Sequence, residues 1–305
     1  MRRTTPRTLA RRIAGGVRLL SGARDDLKRT ERRLMKEQER HITQLTRRMH
    51  KRLKRIERRL PPEPAPALVG TLDYQGARIE LRARTKQERF RLRAAQKEPW
   101  TVEWMERWIA PGECLYDIGA NVGAYSLMAA LGPARAYVVA LEPGFANYAT
   151  LCENVAHNRA GDRVMPLGIA LSDRTGTTSF NYRDTGSGEA MHGMGEEDAG
   201  RAAFRQAMLT LTLDDLVGRF ALRAPNHLKL DVDGAEQAVL EGAERTLSSP
   251  DLRTVLTEVS VDDAESVGGA LEGAGLERLQ RTDRRVKYGK VVDHWYELWT
   301  RPYAR

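Results

Sequence analysis

Most of this chain is a series of short apolar segments separated by stretches with helical spacing. Apolar runs at residues 114–117, 137–141, 164–171, 227–232 and 255–259 each predict a buried strand. Between them the spacing turns helical: from near Asn121, over 146–158, in a short segment opened by Asp214 and Asp215, from near Gly234, and over 264–274. Residues 276–279 and 291–299 predict two closing strands, and 178–182 an extra one. Strands that alternate with helices imply an α/β fold with a doubly wound, mostly parallel sheet. Ahead of it, residues 68–73 and 77–83 alternate as two short strands around Tyr74, and Pro99 opens a helix that runs through Trp108. Trp100, Trp104 and Trp108 share one face of that helix and are expected to pack over the sheet.

The first 60 residues follow another pattern. Residues 21–60 are almost all good helix formers without proline. Leu27, Leu34, Ile42, Leu45, Met49, Leu53, Ile56 and Leu60 recur at mostly helical spacings, with His41 at one position where an apolar residue is expected. They predict a long amphipathic helix, a coiled-coil-like arm over residues 1–60 that pairs with a second copy or docks on another surface. Four prolines within residues 61–66 end it, so residues 61–67 read as an extended linker and 68–305 as a separate domain.

Charge sharpens that division. Residues 1–60 hold 21 Lys+Arg and 6 Asp+Glu, a net of +15, whereas the rest of the chain is at −6. The arm therefore suits a partner or surface of its own, an anionic one by its charge. Two cysteines, Cys114 and Cys152, fall in a predicted strand and helix, which points to buried thiols in a reducing compartment. No stretch has the length and apolarity of a transmembrane span. Arg2-Arg3 is followed by a segment with three arginines and no apolar core, which does not read as an export signal. A cytoplasmic protein is expected, peripheral to a membrane if the arm meets one.

The candidate chemistry sits where the first predicted buried strand turns into a helix. Gly119 and Gly123 allow a tight bend after Asp117, at the carboxyl end of a strand where open α/β sheets bind ligands. One helix and one strand later comes Glu142, at the spacing of a carboxylate that accepts both ribose hydroxyls. The loop reads Gly-Ala-Asn-Val-Gly, not G-x-G-x-x-G, and Asp117 would repel a pyrophosphate. A ligand with a ribose, no phosphate and fixed positive charge suits these acids, as S-adenosylmethionine does.

The motifs Asp117-Ile-Gly-Ala-Asn-Val-Gly123, Leu141-Glu-Pro143, Ala170-Leu-Ser-Asp173, Leu213-Asp-Asp-Leu216, Leu228-Lys-Leu-Asp-Val-Asp-Gly-Ala-Glu236 and Thr257-Glu258 occur in order. In these, the chain resembles the FkbM family of S-adenosylmethionine-dependent methyltransferases over roughly residues 70–300. Asp233 stands where that family more often has glutamate. The resemblance implies a Rossmann-like class I methyltransferase fold whose last strand is antiparallel. It implies a cofactor site at Asp117, Gly119, Asn121, Gly123, Glu142, Pro143, Ser172, Asp173 and Asp231, with Ser172 and Asp173 near the adenine. Candidates for the base are Asp231, Asp233, Glu258 and His192. Asp231 is alternatively a partner for the cofactor's ammonium, and Glu258 a residue that orients the acceptor. His227 opens a strand and reads as structural. No Cys/His spacing indicates zinc, so no metal is assigned.

Three functions compete. The resemblance favours O-methylation of a sugar or natural-product hydroxyl. A nucleic-acid methyltransferase could use the basic arm for affinity, but the fourth buried strand is followed by Asp231-Val-Asp-Gly234, without the Pro-Pro-aromatic that stacks a base. An idle fold tethered by its arm conflicts with the intact acid set. Residues 184–199, rich in glycine around His192, are expected to cover the acceptor.

Overall fold

The computed structural model describes residues 35–36, 43–49, 51 and 68–302, the last span without 189–192, 195–201, 283–285, 288–289 and 292. Contacts divide the chain into two units, Met1–Ala65 and Pro66–Arg305. In the first, the described residues are helical, with Leu45 and Met49 exposed. The remainder of the helix expected over 21–60, and with it the coiled coil, lies outside the described residues.

In the second unit the strands are Val69–Thr71 (β1), Glu80–Arg82 (β2), Cys114–Ile118 (β3), Tyr137–Leu141 (β4), Val164–Leu167 (β5), Ala170–Leu171 (β6), Gly176–Tyr182 (β7), Gly193–Met194 (β8), Phe204–Leu211 (β9), His227–Leu230 (β10), Thr254–Ser260 (β11), Glu277–Arg281 (β12), Val286–Lys287 (β13), Lys290–Val291 (β14) and His294–Thr300 (β15). Seven of them form the main sheet in the order β5-β4-β3-β10-β11-β15-β12. Pairing is parallel from β5 to β11, and β15 runs antiparallel to both of its neighbours. This is the doubly wound, mostly parallel sheet with an antiparallel last strand that the pattern and resemblance predict. Chain order reverses between β3 and β10, which opens a crevice at their carboxyl ends.

The strands at that reversal are buried on both faces, as parallel strands covered by helices must be. All five residues of β3 are buried. On one face Leu115, Val138, Leu256, Tyr296 and Leu298 pack with Trp104, Leu127 and Met128 from the helices Pro99–Trp108 and Ala124–Leu131. On the other, Tyr116, Val139, Leu228, Val255 and Trp299 pack with Leu240 and Leu271. The tryptophan helix therefore lies on the sheet, and Trp104 also donates from Nε1 to Thr254 Oγ1 at 2.9 Å.

One expected strand is two. Residues 164–171 supply β5 to the main sheet and β6 to a second sheet of order β6-β9-β7-β8. The break falls at Gly168 and Ile169, and Gly168 packs against the Tyr148 ring.

His227 lies at the amino end of β10, away from the crevice, and is structural. Its Nδ1 meets Thr254 Oγ1 at 2.7 Å and its Nε2 meets Glu113 Oε2 at 2.9 Å. Glu113 is a carboxylate that can only accept, so in the neutral ring Nε2–H donates to it and Nδ1 accepts the Thr254 hydroxyl proton. This chain suits the neutral ring, and burial pushes the imidazole below its ordinary value of 6.5. Below pH 6.5 the unfolded chain binds a proton at this residue that the folded one resists. Stability from this site should then fall as pH falls, by up to about 1.4 kcal/mol per pH unit. Glu142 and Glu236 act in the opposite sense, because burial raises both to about 7. The contribution is therefore isolated by comparing melting of wild type and His227→Asn between pH 5 and pH 7.5. Parallel curves would refute it.

Candidate active site

The loop after β3 spends its own N–H groups. Gly119 N and Ala120 N donate to Leu141 O at 3.0 and 2.9 Å, and Asn121 N donates to Glu142 Oε2 at 2.8 Å. Val122 N donates to Asn121 Oδ1 at 3.0 Å, and Gly123 N to Ala120 O at 2.9 Å. None of these five amides is left to cradle a phosphate, which separates the loop from dinucleotide-binding turns. Its bends need positive φ at Gly119, Asn121 and Gly123, at 86°, 51° and 84°. Gly119 carries a second constraint: a Cβ there would overlap the Asp231 carbonyl oxygen at the end of the neighbouring strand. Gly119 is thus needed for strand packing as much as for the bend.

Glu142 directly follows β4 and is buried. Its Oε1 accepts from Gly144 N at 2.8 Å and Asn147 Nδ2 at 3.4 Å, while Oε2 accepts from Asn121 N. Burial raises this carboxyl to about 7, against N–H donors that favour the ionised form. Pro143 follows it, half-buried.

Across the reversal point, a charged cluster lies on the same sheet face. Asp117 of β3 is buried; its Oδ2 accepts from Ser126 Oγ at 2.5 Å, and its Oδ1 has no hydrogen-bond partner among the described residues. Burial raises its pKa. Asp231, directly after β10, accepts at Oδ2 from Lys229 Nζ at 2.8 Å and from Tyr296 Oη at 3.0 Å. Burial alone would raise Asp231, but the Lys229 ammonium and these bonds hold it well below the usual carboxylate range. A carboxylate so stabilised is a weak base and a good fixed anion. The register Leu230↔Thr257 puts Glu258 at the next position beside Asp231, and Glu258 pairs with Tyr296 across β15.

The remaining expected residues are dispersed. Asp233 is exposed, in the turn after β10, with φ 54°. Ser172 and Asp173 lie after β6 in the second sheet. Ser172 N donates to Leu211 O at 3.0 Å and Ser172 Oγ to Asp173 Oδ1 at 2.9 Å, so these contacts do not join Asp117 or Glu142. His192 lies outside the described residues, as does most of 189–199. The described start of that segment is anchored: Gly188 N donates to Asn147 Oδ1 at 2.7 Å, and Arg91 donates to Gly188 O at 3.0 Å. Asn147 thereby links Glu142 to the beginning of this loop. Among the described residues no group of three or more His, Cys, Asp or Glu is placed for a metal ion.

Other motif residues build structure. Glu236 accepts from Val232 N at 3.1 Å and Gly234 N at 2.9 Å, closing the turn after β10. Asp214 accepts from Arg245 N and Thr246 N at 2.9 and 2.8 Å, at the start of the helix Glu244–Ser248. Sequence reasoning assigned no role to Lys229, Tyr296 or Asn147. The signal for Lys229 was its place between two leucines in a run predicted to be buried, where a lysine must find acids.

This strand order, with an acid-lined crevice and no free phosphate cradle at its reversal point, defines the Rossmann-like class of S-adenosylmethionine-dependent methyltransferases. Within it the chain belongs to the FkbM methyltransferase family, whose model, the methyltransferase FkbM domain, matches residues 117–281. It is similar to the hexuronic acid methyltransferase AglP of Haloferax volcanii, 26% identical over 190 residues that make up 62% of this chain and 74% of that one. It is also similar to the 31-O-demethyl-FK506 methyltransferase FkbM of Streptomyces tacrolimicus, 26% identical over 200 residues, 57% of this chain and 76% of that one. A solved putative rRNA-methylase from Clostridium thermocellum gives a TM-score of 0.43 at 9% identity over 66% of this chain and 93% of that one, too distant to bear on function. The residues present fit the family's cofactor: a buried carboxylate at Glu142, saturated loop amides, and excess negative charge with a buried Asp117 oxygen that has no hydrogen-bond partner among the described residues. Among the described residues no helix is long and apolar enough to cross a membrane.

Proposed function

We propose that this protein methylates a hydroxyl group of a sugar or another natural product. The observation that carries this reading is the pairing of the acid-lined crevice with relatives named for a hexuronic acid and for 31-O-demethyl-FK506. S-adenosylmethionine, when bound, supplies the electrophilic methyl group. Glu142 holds the ribose, and the 119–123 loop shapes the crevice beside it. Asp117 and Asp231 provide negative charge for the amino-acid end. Pro143, Ser172 and Asp173 are assigned to the adenine side, on the resemblance alone.

Glu258 is assigned as the base for the acceptor hydroxyl, with Asp233 as the alternative. Asp231 is too strongly stabilised as an anion for that task. Incubation with labelled S-adenosylmethionine and a panel of hexuronic acids, polyol lactones, RNA and DNA tests the substrate class. Label on a carbohydrate or polyol-lactone hydroxyl is expected; label on nucleic acid alone would refute it. With the acceptor found, Glu258→Gln should lower kcat by about 10²–10⁴-fold without weakening cofactor binding. An unchanged kcat would move the role to Asp233.

A further inference from the structure

Lys229 is 1% exposed, and its Cα partner across the parallel β3–β10 pairing is Asp117. The groups facing it come from five elements. Glu98, with Lys97 paired to it at 2.8 Å, stands at the start of the helix Pro99–Trp108. Asp117 comes from β3, Asp231 from the end of β10 and Tyr296 from β15. The Tyr125 ring, on the helix Ala124–Leu131, lies 5.1 Å from Nζ. Glu258 lies on β11, the strand next to β10. Burial would lower the ammonium, but Asp231, Asp117 and Glu98 hold it well above its ordinary range. Two cations thus face three carboxylates before any ligand enters. Both side-chain hydrogen bonds to Asp231 end on Oδ2, and the Asp231 side chain keeps 23% exposure.

We infer that Lys229 is a positioning residue of the cofactor site: it clamps one oxygen of Asp231 so that the other stands ready for the cofactor's ammonium group. A flexible carboxylate at a crevice mouth would turn between solvent and ligand. One tied by a buried ammonium and a phenol is oriented before binding, so less freedom is lost when a cation arrives. Tyr296 shares the clamp and ties it to β15.

The inference rests on the crevice's binding S-adenosylmethionine with its amino-acid end toward Asp231. Calorimetry with S-adenosylhomocysteine and with adenosine separates the two ideas, because adenosine has the nucleoside but not the amino-acid end. Wild type should bind both; a wild type that binds neither overturns the reading of the crevice and this inference with it. Lys229→Met should weaken S-adenosylhomocysteine about fivefold while adenosine stays within about twofold, and Lys229→Arg should restore most of the loss. In an Asp231→Asn background, Lys229→Met should add nothing further, because its effect runs through Asp231. Equal losses for both ligands, additive losses in the double variant, or no loss at all would each overturn the role. If Lys229→Met does not fold, Tyr296→Phe removes the other bond to Oδ2 and should shift the same ligand in the same direction by a smaller factor; no selective shift there would overturn the clamp.

Discussion

Replacing Gly119 with alanine should abolish cofactor binding and destabilise the domain by about 3 kcal/mol or more. Two independent constraints meet at this residue. Its φ of 86° is one that an L side chain enters only with strain. The added methyl would also overlap the Asp231 carbonyl oxygen, a backbone atom at the end of a buried strand that cannot swing aside. Relief requires the ends of β3 and β10 to separate, and that junction carries Asp117, Lys229 and Asp231. Gly123→Ala is the control, because its methyl would meet the end of the Leu151 side chain, which can move. Denaturant unfolding and calorimetry on both variants check the ranking. A Gly119→Ala protein with wild-type stability and affinity would show that the junction is far softer than its packing implies.

Much of this architecture was legible because parallel strands buried on both faces read as apolar runs. β3, β4, β10 and β11 come within two residues of their expected ends for that reason. Asp117 and Glu142 were legible as site residues because each polar side chain closes such a run. β9 was not legible: its residues 204–211 are mostly half-buried or exposed, so neither a continuous apolar run nor a clean alternation marks it. The split of residues 164–171 was hidden for another reason. Apolar character is continuous through Gly168, and only the Tyr148 ring against that glycine marks where the chain leaves the main sheet. The role of Lys229 depends on which strands are neighbours, since Asp117 is more than a hundred positions away in the chain and adjacent only through the β3–β10 pairing.

Removing the Glu142 carboxylate tests the nucleoside half of the site. Glu142→Ala should weaken S-adenosylmethionine and adenosine alike, by at least tenfold, or about 1.4 kcal/mol. The loss has two sources. The acceptor for the ribose hydroxyls disappears, and the N–H groups of Asn121 and Gly144 lose the oxygens that hold them at 2.8 Å. Glu142→Gln keeps the shape but replaces one acceptor oxygen with a donor, so it should recover stability more than affinity. The pH dependence supplies a separate check. Burial sets this carboxyl at about 7 in the free protein, and the ionised form is the better acceptor for two hydroxyl donors. Ribose binding should therefore favour loss of the proton, and affinity for adenosine should fall as pH drops from 8 through 7 toward 6. Adenosine itself carries no group that titrates in that range, so the slope reports on the protein. Glu142→Gln should flatten it. If adenosine binds Glu142→Ala as tightly as wild type, or if the slope survives in Glu142→Gln, the ribose is held elsewhere. The bonds from Asn121, Gly144 and Asn147 would then make Glu142 a brace for the loop and not a ligand contact.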